Sequence, residues 1–245
     1  MLVASPARVS RSSAVRSTIA RLRGWAGGLL SGLAGLAYPT LCLGCEARLP
    51  TPHEALCPSC LRGLPRADAQ AAAAMLAHTR IDHAVVLWAF DPGGTVRRVQ
   101  HALKYGGRPA LGAGIGRILG AAVREAGAAP DLVTAIPLSR LRMLERGYNQ
   151  SAALAEGAAE VLAAPVADLL VRTRPTLAQA RLSAAERIRN VAGAFALAPG
   201  ADVAGRRVLL VDDVLTTGAT LAAAALPLLD AGAQVDVAAL ALAGA

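Results

Sequence analysis

The chain has 245 residues, of which 54% are hydrophobic but only 3% aromatic, and its formal net charge is +8. That length can bury a full core, and an Ala- and Gly-dominated chain so poor in aromatics favours an α/β or all-α domain with closely packed elements over a β-sandwich. Five of the eight charges, Arg8, Arg11, Arg16, Arg21 and Arg23, precede every acidic residue, so the basic balance belongs mainly to an N-terminal arm.

Such an arm suits contact with nucleic acid or acidic lipid, and equally suits a solvated tail. Residues 25–45 carry no charge and follow the arginines, the outline of a signal peptide or a membrane span. Against both stand Gly27, Gly28, Gly32, Gly35 and Gly44, the break at Pro39, and a cysteine motif at the end of the run. Leu29, Leu30, Leu33 and Leu36 are instead spaced for a short helix with one apolar stripe. The expectation is a cytoplasmic protein without a membrane span. Three segments are expected: residues 1–37 as basic arm and short helix, 38–65 as a ribbon, and 80–245 as the main domain.

Cys42, Cys45, Cys57 and Cys60 read C-x2-C-x11-C-x2-C and are the only cysteines. Two knuckles of this kind bring four thiolates onto one tetrahedral zinc, and Gly44 and Pro58 suit their tight turns. Two disulfides fit poorly with a reducing compartment, and a redox dithiol needs one pair rather than two. A closed four-thiolate site is structural, because it leaves no position for a reacting water. His53 lies between the pairs as a loop residue.

Residues 66–79 form an Ala-rich helical stretch. Ala84–Phe90 reads as a strand ending at Asp91-Pro92-Gly93-Gly94, and Val96, Val99 and Leu103 mark a helix. A second helix follows Pro109. Its Gly112, Gly114 and Gly116 outline a dinucleotide fingerprint, but Arg117 stands at the last glycine and no strand leads in, so small residues for helix packing explain them better. From residue 131 onward strands and helices alternate: Leu132–Ile136, then a helix over 149–162, a strand at Val166–Val171, another at Val208–Val211, a helix over 217–230 and a last strand at Val235–Leu242. That order predicts right-handed crossovers, a parallel sheet covered on both faces, and a ligand at the carboxyl ends of the strands.

Two loops meet that prescription. After Ile136 and Pro137 come Ser139 and the cations Arg140, Arg142 and Arg146, which suit a polyanion such as a magnesium-bridged diphosphate, or form a basic surface turn. Asn149 and Gln150 suit either that site or a helix cap. After Val211 come Asp212 and Asp213, then Thr216-Thr217-Gly218-Ala219-Thr220 leading into a helix. Helix N-terminal amides opened by a glycine and lined with hydroxyls bind a phosphate monoester, and the carboxylates can accept hydrogen bonds from vicinal hydroxyls. Together they describe a ribose 5-phosphate. A Walker B reading of the acid pair lacks any G-x-x-x-x-G-K-[ST] partner in the chain.

The thirteen residues from Val208 to Thr220 resemble the ribose-phosphate signature of type I phosphoribosyltransferases. More narrowly, the chain resembles the ComF/GntX family through its four-cysteine ribbon, Leu103-Lys104-Tyr105, Ile136-Pro137-Leu138 with Arg140, Arg146-Gly147-Tyr148-Asn149-Gln150, Gln179, Leu182, Arg187 and Asn190. The resemblance implies a parallel-sheet α/β fold with an N-terminal zinc ribbon, and phosphoribosyl pyrophosphate with magnesium as ligand. Pro137, Leu138, Ser139, Arg140, Arg146 and Lys104 join Asp212, Asp213, Thr216, Thr217, Gly218, Ala219 and Thr220 as candidate ligand residues. It also implies a loop over residues 172–190 that folds over the substrate, although the same residues suit a mobile surface loop. Arg174 on that loop joins Asp212 and Asp213 as a candidate catalytic residue. Two functions stay open: phosphoribosyl transfer with pyrophosphate release, or a non-catalytic ligand-binding role in DNA uptake during competence. For the second, a helicase or another uptake protein is the implied partner. Single-stranded DNA is a further candidate, though the scarcity of aromatics gives little platform for stacking bases.

Overall fold

The computed structural model describes residues 40–51, 54–176 and 183–244. The expected N-terminal arm and apolar helix, His53, Arg181, Gln179 and Leu182 lie outside the described residues. None of the described helices is long and apolar enough to cross a membrane.

The described residues open with the cysteine segment and a short helix α1 (Pro58–Arg62), then α2 (Ala69–Leu76), β1 (Ile81–Ala89), α3 (Thr95–Tyr105), α4 (Pro109–Glu125), β2 (Leu132–Ala135), α5 (Arg140–Arg146) and α6 (Gln150–Leu162). There follow β3 (Leu170–Arg172), α7 (Ala184–Val191), β4 (Phe195–Leu197), β5 (Arg207–Leu215), α8 (Ala219–Asp230) and β6 (Gln234–Leu242). Four strands form one parallel sheet in the order β1-β6-β5-β2. Central β5 explains its own sequence. Val208, Leu209, Leu210 and Val211 are fully buried, as a strand covered on both faces requires. One cluster joins Leu209 and Val211 to α3, α4 and α6, and the other joins Val208 and Leu210 to α2 and α8. The sheet is thus sandwiched between two helical layers.

Two expectations need correction. Val166–Val171 is not a strand of the main sheet: Val166 makes a single parallel bridge to Val133, and only Leu170–Arg172 is extended. It pairs antiparallel with Phe195–Leu197, which forms a separate two-stranded ribbon. Leu170 is buried while Val171 is exposed, so this strand has one dry face; an apolar run read without its partner does not reveal that. In the second case, β5 does not stop at Val211. Register with β6 runs on from Asp212↔Ala239 to Leu215↔Leu242, drawing the acid pair into the strand end.

The glycines of α4 serve helix packing. A methyl on Gly120 would stand 2.6 Å from the Ala158 carbonyl oxygen of α6, and one on Gly112 would stand 2.6 Å from the Ala153 Cβ. Reciprocally, a methyl on Gly157 of α6 would overlap the Ala113 carbonyl. Backbone contact this close has no side chain to yield. Gly157→Ala is therefore expected to destabilise by about 3 kcal/mol, through forced separation of the two helices. A urea midpoint unchanged from wild type would show that the pair is not packed this tightly.

Candidate functional site

At the amino end, the four thiol sulfurs lie within 4.8 Å of one another, and Cys45 Sγ is 3.7 Å from Cys57 Sγ. A tetrahedron with bonds of about 2.3 Å has edges of about 3.8 Å, so the spacing fits a four-thiolate zinc and exceeds a disulfide bond. Local folding prepares the donors. Cys57 caps α1 and accepts from the Cys60 amide at 3.5 Å, while Cys42 Sγ accepts from the amides of Gly44 at 3.4 Å and Cys57 at 3.3 Å. A methyl on Gly44 would meet Cys60 Sγ at 2.7 Å, so the turn excludes any side chain. Burial resists ionisation of Cys42, yet the backbone donors from Cys45, Cys57 and Gly44 outweigh it and bring this thiol to about 6. Cys60, held as a thiol by Cys45 and Cys57, is pushed up to about 12.

The ribbon is anchored to the domain. Arg98 of α3 donates from Nε to the Leu43 carbonyl at 2.7 Å and from Nη2 to the Gly44 carbonyl at 3.3 Å. Cys42, Leu49, Leu56 and Leu64 share one core cluster with Trp88 and Ile115.

The second site lies where the fold predicts a ligand, at the carboxyl ends of β2 and β5. A cavity of about 420 Å³ brings together Lys104, Leu138, Ser139, Arg146, Asp212, Asp213, Thr216 and Thr220. Gly218, at φ 74°, turns the chain into α8 and, with Thr216 and Thr220, lines a small recess beside the cavity. Ala219 is buried in the first turn of that helix, and Thr217 lines neither space. Pro137 contributes its carbonyl, which accepts from Arg172 Nε at 3.2 Å.

Both aspartates are only 8% exposed, and their environments differ. Asp212 Oδ1 accepts from Ser151 Oγ at 3.0 Å and from the Asp213 amide at 2.8 Å. Asp213 Oδ2 faces Lys104 Nζ at 2.7 Å in a largely covered ion pair. Burial, and then the neighbouring Asp213 charge, push Asp212 up to about 7. Burial would also raise Asp213, but the Lys104 ammonium outweighs it and holds that carboxyl below its ordinary value.

The raised Asp212 carries a stability consequence. A carboxyl whose folded value exceeds the unfolded one favours the fold while protonated, and that contribution is lost as pH rises from 3.8 through about 7. Asparagine can keep both hydrogen bonds at Oδ1 without a charge. Asp212→Asn is expected to raise stability in urea by about 1–3 kcal/mol at pH 8, with the gain shrinking as the solution is acidified. A variant no more stable than wild type at pH 8 would contradict this.

Of the residues singled out from sequence, Pro137, Thr217, Gly218 and Ala219 do not line the cavity itself, and neither do Arg140 and Arg174. Arg140 is exposed at the start of α5, and Arg174 Nη2 is tied to the Ala192 carbonyl at 2.7 Å. Their neighbours take those places. Arg142 and Arg146 line the cavity from α5, and Arg172 and Arg187 line it from the β3–α7 side. Arg172 is held over the Phe195 ring at 4.7 Å and donates to Thr176 Oγ1 at 2.7 Å. Asn149 is the cap of α6: its Oδ1 accepts from the Ser151 amide at 3.0 Å while Nδ2 donates to the Ile136 carbonyl at 2.9 Å, pinning the first loop. Gln100, Ser151 and Thr176 were not singled out. Gln100 stands four residues before Lys104 on α3, a helical spacing that could have found it. Among the described residues, Arg146 Nε and Gln150 Oε1 are buried without a hydrogen-bond partner, and both residues line the cavity. A buried polar atom calls for a partner, and at a cavity wall either water or a ligand can supply one.

A profile of the phosphoribosyl transferase domain matches residues 149–245. DNA utilization protein YhgH of Escherichia coli (strain K12) is 30% identical over 216 residues, which is 81% of this chain and 94% of that protein. Competence protein F of Haemophilus influenzae is 38% identical over 114 residues, 44% of this chain and 50% of that protein. An adenine phosphoribosyltransferase of Nocardia farcinica is 63% identical over 43 residues, 18% of this chain and 22% of that protein. With its four-cysteine cluster, its parallel sheet and a relative matched along nearly the whole length, the chain belongs to the ComF family of proteins with a phosphoribosyltransferase-type domain.

Proposed function

We propose that the cavity binds phosphoribosyl pyrophosphate as its magnesium complex, and that the protein transfers the phosphoribosyl group to a nitrogen nucleophile with release of pyrophosphate. The observation that carries this reading is the meeting, in one cavity, of the buried acid pair, the threonine loop at the start of α8 and the arginines of α5. Asp212 and Asp213 accept the ribose hydroxyls. Thr216, Gly218, Ala219 and Thr220, with Thr217 between them, cradle the 5-phosphate at the helix N-terminus. Arg142, Arg146 and Ser139 take the diphosphate, while Arg172 and Arg187 close the cavity from above. Magnesium carried in with the diphosphate would neutralise its charge, and no all-protein cage would be required for it. The protein supplies position and charge to a sugar that becomes cationic at C1 as pyrophosphate leaves.

The zinc ribbon is structural, and thiols kept reduced for a metal suit the cytoplasm. The names of the relatives, DNA utilization and competence, favour a second reading. In it the site holds the same ligand without turnover, and the chain acts through a DNA-uptake partner such as a helicase, or on single-stranded DNA. Pyrophosphate release from phosphoribosyl pyrophosphate, assayed over a panel of bases and amines, decides between them. Release with one acceptor is the expected result; saturable binding with no release on any acceptor favours the second reading. Salt-dependent single-strand affinity of the full chain would identify DNA as the partner.

A further inference from the structure

We propose that Lys104 is a specificity-determining residue: its ammonium caps the acid pair and gives it up only to a ligand whose diphosphate takes the ammonium over. The inference rests on the cavity being a phosphoribosyl pyrophosphate site, and it adds how that site rejects a ribose phosphate without the diphosphate.

The geometry has a fixed part and a movable part. The end of α3 is fixed: Leu103 is fully buried, the Tyr148 hydroxyl donates to its carbonyl, and Tyr105 lies between His101 at 4.8 Å and the Arg146 guanidinium at 6.0 Å. From that anchor the Lys104 side chain reaches Asp213 Oδ2 at 2.7 Å, in a pair whose side chains are 21% and 12% exposed. The ammonium therefore occupies the place where ribose hydroxyls would be accepted. It sits on a stem with four rotatable bonds, in the same cavity as Arg142 and Arg146.

A ribose 5-phosphate entering this site must replace a charge–charge contact with neutral hydroxyl donors and leave the ammonium without a counter-ion. Removing one member of a buried pair carries a large penalty. A diphosphate beside the diol removes the penalty, since the ammonium swings from one anion to the other. Residue choice fits this role. Of 25 basic residues this is the only lysine. Arginine would grip the carboxylate through two parallel donors and resist transfer, whereas an ammonium is a point charge that can be handed on.

The test uses the full-length protein and calorimetric dissociation constants for magnesium phosphoribosyl pyrophosphate and for ribose 5-phosphate. Wild type is expected to prefer the diphosphate ligand. In Lys104→Met that preference falls at least about tenfold, with ribose 5-phosphate bound as well or better. In Lys104→Arg, ribose 5-phosphate stays as weak as in wild type. A preference unchanged within about threefold in Lys104→Met overturns the inference while leaving the ligand assignment standing. No binding of phosphoribosyl pyrophosphate by wild type overturns both. A second arm needs no variant. Reductive ¹³C-methylation labels one lysine and the terminal amine, and saturation with phosphoribosyl pyrophosphate must shift the lysine resonance. A resonance that stays in place while the ligand binds sinks the proposal.

Discussion

Asp213→Ala is expected to lower affinity for magnesium phosphoribosyl pyrophosphate, the proposed ligand, by about 10³-fold while the protein stays folded. Two effects add. The ribose of the proposed ligand loses an anionic acceptor, and Lys104, whose ammonium stood 2.7 Å from the removed carboxylate, is left largely covered and without its counter-ion. Truncating one member of a desolvated, paired set costs about 2–5 kcal/mol in binding, which spans the expected factor. Asp236 is the control. It is as buried as a carboxylate can be, at 1% exposure, and accepts from Arg207 Nη1 at 3.0 Å and 3.2 Å with His83 Nδ1 at 2.8 Å. It lies near the start of β6, at the end of the sheet away from the cavity. Asp236→Asn is expected to lower the unfolding midpoint and leave affinity unchanged. Equal losses of affinity in both variants would mean that buried charge in general, rather than this cavity, governs the ligand.

Stripping metal from the cysteine cluster with a chelator is expected to destabilise the protein by about 4 kcal/mol or more and to move tryptophan emission to the red. The reason lies in what the ribbon covers. Trp88 is 1% exposed and packs in the cluster that includes Cys42, Leu49, Leu56 and Leu64. The Leu41–Arg48 bridge and the five-residue α1 are too small to hold that hydrophobic face without the cross-link of four sulfurs. Recording emission in a Trp25→Phe background isolates Trp88. Cys45→Ser should reproduce the shift without chelator. Emission unchanged after complete metal removal would show that the ribbon folds on packing alone.

The parts of this molecule that declare themselves in sequence are those with local causes. The run Val208–Val211 can only be a strand covered on both faces, and Thr216–Thr220 can hardly be anything but a turn into a helix. The cysteine spacing encodes its own convergence. The β3–β4 ribbon was hidden because its pairing joins Leu170 to Leu197, residues separated by a helix that no local period connects. The arginines divide in the same way. Composition shows that the loops after β2 and after β3 are rich in them, but which ones turn inward depends on where α5 begins and where β3 ends. That is how Arg142 and Arg172 came to line the cavity while Arg140 and Arg174 stayed outside. Lys104 was visible as a lone lysine, but its partner is more than a hundred residues away, and only the close approach of α3 to the end of β5 supplies it.

Helix α3 holds both ends of the molecule's chemistry. Arg98 grips the carbonyls of the first cysteine knuckle, and Lys104, six residues on, reaches the acid pair. Six residues of α-helix span about 9 Å of rod with every backbone hydrogen bond internal, so a displacement at one end is delivered to the other. If metal at the knuckle and a ligand in the cavity each bias the position of α3, the two act on one lever. Equilibrium reciprocity fixes the outcome: whatever factor the metal adds to ligand affinity, the ligand must add to retention of the metal. With that coupling, a metal at the four cysteines would be held least firmly when the cavity stands empty.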